Sequence, residues 1–206
     1  WKAQPKYMVR LCTIGIPMGL QYSITAIGTL VIQAAVNGFG ATVMAGVTAA
    51  GRLGNFLSCP IEALGQTMAP YVGQNVGAGR LDRLGRGLRS AVTLGAIYSA
   101  LILVVLIFFG RDLILLFVNA SEVTVIAQSK QFLVTNAAFY LMLALVNIVR
   151  FLIQGMGFSG FAVFAGVFEM VARALVGLVF VPIFGFIAAC FASPLAWIFA
   201  DCFLIP

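Results

Sequence analysis

Long apolar runs separated by short turns leave this chain few ways to fold. Six of them, at about 11–36, 43–72, 89–109, 123–154, 161–182 and 186–206, are each long enough to span a bilayer. A hydrocarbon core about 30 Å thick takes about 20 helical residues per crossing. The turns between the runs carry helix breakers: Asn37-Gly38-Phe39-Gly40, Gly73 to Gly87, Gly110-Arg111-Asp112, Gly155-Met156-Gly157 and Pro182 to Gly185. Membrane-crossing strands would read as alternating segments of about 10 residues. The expected fold is therefore an all-α polytopic membrane protein with six transmembrane helices. Composition agrees: 62% of the 206 residues are hydrophobic and 9% charged, against roughly 25% charged in a soluble domain. Residues 1–206 read as a single membrane domain with no sizeable soluble part.

Absences narrow the chemistry. The chain has no His, which removes the commonest general base and metal ligand. Cys12, Cys59, Cys190 and Cys202 stand singly in apolar stretches, with neither disulfide nor zinc spacing, and read as small buried hydrophobes. No metal or cofactor is expected, and without the usual catalytic groups the chain does not read as an enzyme. It opens at Trp1 without an initiator Met and stops at Pro206 inside an apolar run, the pattern of a fragment.

The basic residues set an orientation. Lys2, Lys6, Arg10, Arg80, Arg83, Arg86 and Arg89 fall on one side of the expected spans and Arg111 on the other. By the positive-inside rule the N-terminal end and the 73–88 loop are cytoplasmic, in a multi-pass plasma membrane protein. The net charge of +6 is then topology near anionic headgroups of the lipid bilayer, and no nucleic-acid partner is expected. Asn119-Ala120-Ser121 fits the N-glycosylation pattern, a match too short to carry weight.

Polarity inside the spans is where function should lie, because polar groups there are costly and face a bundle interior or a cavity. On the second span Thr48, Arg52, Asn55, Cys59, Glu62 and Gln66 recur every three or four residues, within an arc of about 80°. Tyr22, Thr25, Thr29, Gln33 and Asn37 cover about 120° of the first span, and Ser129, Asn136, Tyr140, Asn147, Arg150 and Gln154 about 80° of the fourth. Three such faces can enclose a cavity, or can hydrogen-bond to one another between helices. Glu62 and Arg150 favour the cavity, since an ionisable group near mid-bilayer points to function. Glu62 stands two residues after Pro60, which removes a backbone donor. An acid at such a bend suits cation or proton binding; the alternative is a structural acid paired with Arg52 or Arg150. Glu169 and Arg173, four apart on the fifth span, read as an internal ion pair.

The run Gly73-Gln74-Asn75-Val76-Gly77-Ala78-Gly79-Arg80 follows a helix and lacks the Lys-Ser/Thr of a phosphate loop. It reads as a helix end and a tight turn.

Several stretches carry a family resemblance. Gly15-Ile16-Pro17-Met18-Gly19-Leu20-Gln21-Tyr22-Ser23-Ile24-Thr25-Ala26-Ile27-Gly28 resembles the seventh helix of the multidrug and toxic compound extrusion (MATE) family. Ala63-Leu64-Gly65-Gln66 and Tyr71 to Arg80, with Gly73, Gln74, Asn75, Gly77, Gly79 and Arg80, resemble the end of its eighth helix and the following loop. Arg150 with Leu152 to Gly157 looks like the end of the tenth helix, and Ala192-Ser193-Pro194-Leu195-Ala196-Trp197 like the twelfth. The resemblance implies a twelve-helix antiporter of two six-helix lobes, of which this chain is the C-terminal one and the N-terminal lobe of the same polypeptide its missing partner. Thr25 and Leu143 stand where NorM-like members carry a cation-binding Glu and an Asp, so that sodium site does not carry over. The flavour is DinF-like.

These readings combine into an expectation of cation-coupled (Na+ or H+) export of lipophilic organic cations and drugs by alternating access. The candidate substrate- or cation-binding residues are Tyr22, Thr25, Gln33, Asn55, Glu62, Gln66, Tyr140, Asn147 and Arg150, with Glu62 the only acid on a cavity-type stripe. A lipid-linked precursor flippase and a non-transporting structural membrane subunit remain the alternatives.

Overall fold

The computed structural model describes residues 5–119 and 121–205. Trp1, Lys2 and Pro206 lie outside the described residues, as does Ala120 of the Asn119-Ala120-Ser121 turn. Among the described residues the chain is helical with no strand: α1 (Pro5–Asn37), α2 (Ala41–Gly77), α3 (Asp82–Leu115), α4 (Val123–Ala138), α5 (Tyr140–Gly155), α6 (Ser159–Leu175), a π turn at Val176–Phe180, α7 (Val181–Phe184) and α8 (Phe186–Leu204). Three helices, α1, α3 and α8, and the continuous stretch Ser159–Phe184 are each long and apolar enough to cross a membrane. The bent pair of α4 and α5 makes a fifth such unit. Helix α2, which carries the polar stripe from Thr48 to Gln66, is not among them.

The glycines act where the chain must turn. Gly40, Gly79, Gly157 and Gly185 all have positive φ, a region that only a residue without a Cβ enters cheaply. At the end of α2, Arg80 N–H donates to Asn75 O at 2.8 Å and Gly79 N–H to Val76 O at 3.0 Å, so the Gly-rich run closes a helix. Expected as a loop, the 73–88 stretch is helical except at 78–81. The Arg86–Asp82 pair at 3.1 Å begins α3, and Tyr71 Oη donates to Arg83 O at 2.9 Å across the turn.

Two expected spans are not straight. The fourth breaks at Phe139 (φ −109°, ψ 12°), where α4 and α5 meet at 49° without a proline. The fifth widens before Pro182: Val181 N–H bonds Val176 O, five residues back, so the π turn relieves the clash a proline ring makes with the preceding turn.

Helix α5 is the centre of the bundle, packed by α2, α3, α6 and α8, and α1 leans chiefly on α6. Between lipid-embedded helices there is little hydrophobic drive, so close backbone approach and polar bonds hold the packing. A Cβ on Gly65 would lie 2.7 Å from Asn147 Cβ, and one on Gly155 would lie 2.6 Å from Ala69 O. Gly65, Ala69 and Gly73 thus form a small-residue stripe on α2 against α5. Gly28 meets Met170 of α6 the same way, at 3.1 Å. The outward face of α3 carries Leu94, Ile97, Leu101, Val104 and Phe108, all exposed and spaced to present one apolar stripe to lipid. Helices α1 and α2, consecutive in the chain, touch little.

Candidate functional site

The polar faces of α1, α2 and α5 meet in one cavity of about 570 Å³. All nine candidates, Tyr22, Thr25, Gln33, Asn55, Glu62, Gln66, Tyr140, Asn147 and Arg150, line it, as do Glu169, Arg173, Ser193 and Trp197. Tyr22, Gln33, Arg52, Asn55, Glu62 and Gln66 are exposed while lining it, so the cavity is open on the side of α1 and α2. Its floor is made by buried groups of α5, α6 and α8. The rings of Tyr140 and Trp197, with centroids 6.2 Å apart, give that floor an aromatic surface.

The two possible uses of the stripes divide between helices. The fourth-span residues largely bond to neighbouring helices: Ser129 Oγ donates to Gly46 O at 2.9 Å, Tyr140 Oη to Gly54 O at 3.3 Å, and Asn136 Nδ2 to Cys190 O at 3.5 Å. Asn147 Nδ2 turns back to Leu143 O at 3.0 Å. Of the α2 stripe, Thr48, Arg52, Asn55, Glu62 and Gln66 line the cavity, and Cys59 does not. Glu62 accepts one bond from Ser58 Oγ at 3.2 Å and makes no ion pair among the described residues. Pairing of Glu62 with Arg52 or Arg150 is therefore not what the structure has.

Arg150 is instead committed to Glu169. Its Nη2 contacts Glu169 Oε1, while Arg173 Nη1 reaches Glu169 Oε2 at 3.1 Å, and all three side chains are at most 8% exposed. The ion pair expected within α6 is thus a triad recruiting α5. Gln21 of α1 joins it. With its amide oxygen towards the guanidinium, the one orientation that sets acceptor against donor, it accepts from Arg150 Nη1 at 3.1 Å and Nε at 3.3 Å. Gln154 lies 2.9 Å from the other end of that amide. Removing one partner of such a buried group is costly, because it leaves a charge uncompensated away from water.

Glu62 is not the only acid on the cavity wall, since Glu169 lines it too. Spacing within a single helix cannot reveal pairs made between helices, which is why Arg150 and Glu169 read as separate features. Gln21 and Asp201 are two further polar residues near these charges that the stripes do not include. Gln21 extends the α1 stripe by one step of four before Thr25. Asp201 continues the four-residue spacing of Ser193 and Trp197 on α8, a signal hidden by the apolar residues around it. No group of three or more His, Cys, Asp and Glu among the described residues would hold a metal.

The MatE family model matches residues 17–179. The chain belongs to the MATE family. Members of that family are membrane transporters and not enzymes, and this MATE chain is a multi-pass membrane protein of the same all-α fold. It is 32% identical to the probable multidrug resistance protein YpnP of Bacillus subtilis (strain 168) over 127 residues, 62% of this chain and 28% of that one. It superposes on a MATE crystal structure in complex with MaL6 with a TM-score of 0.88 at 14% identity, over 98% of this chain and 46% of that one. A MOP superfamily transporter from Pyrococcus furiosus, whose reversed binding-pocket polarity suggests a different function, matches with a TM-score of 0.82 at 17% identity. That match covers 95% of this chain and 43% of the other. The MATE chain therefore spans less than half the length of these solved transporters and about a quarter of its curated relative.

Proposed function

We propose that this chain is the C-terminal lobe of a cation-coupled antiporter that exports lipophilic organic cations and drugs by alternating access. The N-terminal lobe of the same polypeptide faces the open side of the cavity. The observation that carries the reading is an unpaired carboxylate, Glu62, on the wall of an open cavity to which three helices turn their polar faces. Na+ or H+ and an organic cation compete for Glu62, while Tyr22, Thr25, Gln33, Asn55, Gln66, Tyr140 and Asn147 give the site its polar lining. Ring faces and adaptable apolar walls suit flat lipophilic cations and give loose selectivity. The match to a multidrug resistance protein supports export of this kind. Thr25 and Leu143, both on the cavity wall, replace the NorM-type acids and favour a DinF-like member. The basic residues near Arg80 favour a cytoplasmic N-terminal end and 73–88 stretch in the plasma membrane.

Ethidium accumulation in cells expressing the complete transporter tests the role of Glu62. Glu62→Gln is expected to abolish efflux and its dependence on pH or sodium. Efflux unchanged in both respects would remove Glu62 from the mechanism. The flippase reading has one observation in its favour: Arg52, Arg150 and Arg173 outnumber Glu62 and Glu169 on the wall by one charge. Flipping of a lipid-linked pyrophosphate by reconstituted vesicles, with no ethidium export, would establish that reading instead.

A further inference from the structure

Asp201 is a buried acid that neither the cavity chemistry nor the packing uses. Its side chain is 8% exposed, and neither carboxylate oxygen has a hydrogen-bond partner among the described residues. It sits one turn beyond Trp197 and two beyond Ser193, both on the cavity wall. The charges that bear on it are Arg150 of α5 and Glu169 of α6. Arg173 is turned to Glu169. The remaining neighbours of α8, which are α1, α4, the π turn and α7, bring no further charge to bear on it.

The triad itself is unbalanced, because two guanidinium groups share the single carboxylate of Glu169 and leave one positive charge over. An ionised Asp201 would cancel that surplus. A buried carboxylate, however, needs donors to hold its charge, and here it has none. The observed arrangement is the one a neutral acid tolerates: Asp201 unbonded, both arginines on Glu169. Loss of the proton would create a demand for a donor, and Arg150 is the buried charged donor on α5, which packs against α8.

We propose that Asp201 is a proton-binding site of this chain, and that release of its proton draws Arg150 from Glu169 towards α8. The exchange ties α8 to α5 and α6 through one guanidinium. Because Arg150, Glu169 and Arg173 line the cavity, proton occupancy at Asp201 changes the charge that a molecule in the cavity meets. A hard metal cation would need several oxygen ligands at once, and a single carboxylate does not supply them. The site is distinct from Glu62, and proton binding is measurable without transport. Failure of export and failure of this site are therefore separate results.

Trp197 is a local reporter one turn away, and Trp1 is the only other Trp in residues 1–206. In Trp1→Phe protein in lipid nanodiscs, Trp197 emission is expected to follow a single-proton curve as the pH is varied. Asp201→Asn should abolish that curve, Glu62→Gln should keep it, and exchanging Na+ for K+ at fixed pH should leave it in place. A curve that survives Asp201→Asn, or one produced by Na+ alone, overturns the proposal. Should Asp201→Asn not fold, labelling of the otherwise unaltered chain by dicyclohexylcarbodiimide, which attacks protonated carboxyls in apolar surroundings, decides the matter. Peptide mass spectrometry is expected to find the adduct on Asp201 at low pH, falling about tenfold per pH unit above the midpoint. Labelling that is absent, or that pH does not alter, overturns the proposal.

Discussion

Replacing Glu169 with Gln is expected to lower the thermal midpoint of the purified protein by on the order of 10 °C. The substitution leaves Arg150 and Arg173 buried without the carboxylate they share, and removing one partner of a buried pair costs about 3–5 kcal/mol. Gln accepts from one arginine but cancels neither charge. The loss is measured as the fraction of monodisperse protein left after heating in detergent. A companion variant separates charge imbalance from packing. Arg150→Met, Glu169→Leu and Arg173→Met together bury no unmatched charge in the triad, and this triple variant is expected to be more heat-resistant than Glu169→Gln alone. Equal loss in both would mean that the triad acts through its shape and that its charges contribute little.

The second large effect concerns the contact of α2 with α5. Gly65→Val is expected to destabilise the protein by about 1–3 kcal/mol or more, because its Cβ meets the Cβ of Asn147 at 2.7 Å and the carbonyl carbon at 3.1 Å. Neither group can swing aside as the end of a long side chain would. The helices must separate, and Asn147 moves with α5 on the cavity wall. Gly85→Ala, on an exposed part of α3 with nothing within 4 Å, is the matched control. It is expected to be neutral or to gain up to about 1 kcal/mol from reduced chain freedom. If both variants lose stability alike in the same heating assay, close approach at Gly65 is not the cause.

What could be read without coordinates follows from how each signal is encoded. Apolar runs and their glycine and proline punctuation are local, so helices were expected where α1, α2, α3, α6 and α8 stand. The convergence of Gln33, Glu62 and Asn147 on one cavity followed from helical periodicity, since a polar face in lipid has to turn inward. The break at Phe139 carries no proline and no glycine, and nothing local distinguishes that phenylalanine from its neighbours. Contacts between helices were invisible for a different reason. Arg150 and Glu169 lie nineteen residues apart on separate elements, and only the packing of α5 on α6 brings them together. Asp201 is hard to read from sequence because its neighbours on α8 are mostly apolar. An acid there stands out only when the spacing from Ser193 and Trp197 is followed across it.

The sparse contact between α1 and α2 has a mechanical consequence. These helices form the two jaws of the pocket, yet each is anchored elsewhere, α1 on α6 and α2 on α5. A slide of α6 against α5 would therefore carry α1 relative to α2 with few contacts between them to break. The width of the pocket mouth thus depends on how α6 sits on α5, where Arg150 and Glu169 join the two helices, much as a clothes-peg opens at the tip when pressed behind its pivot.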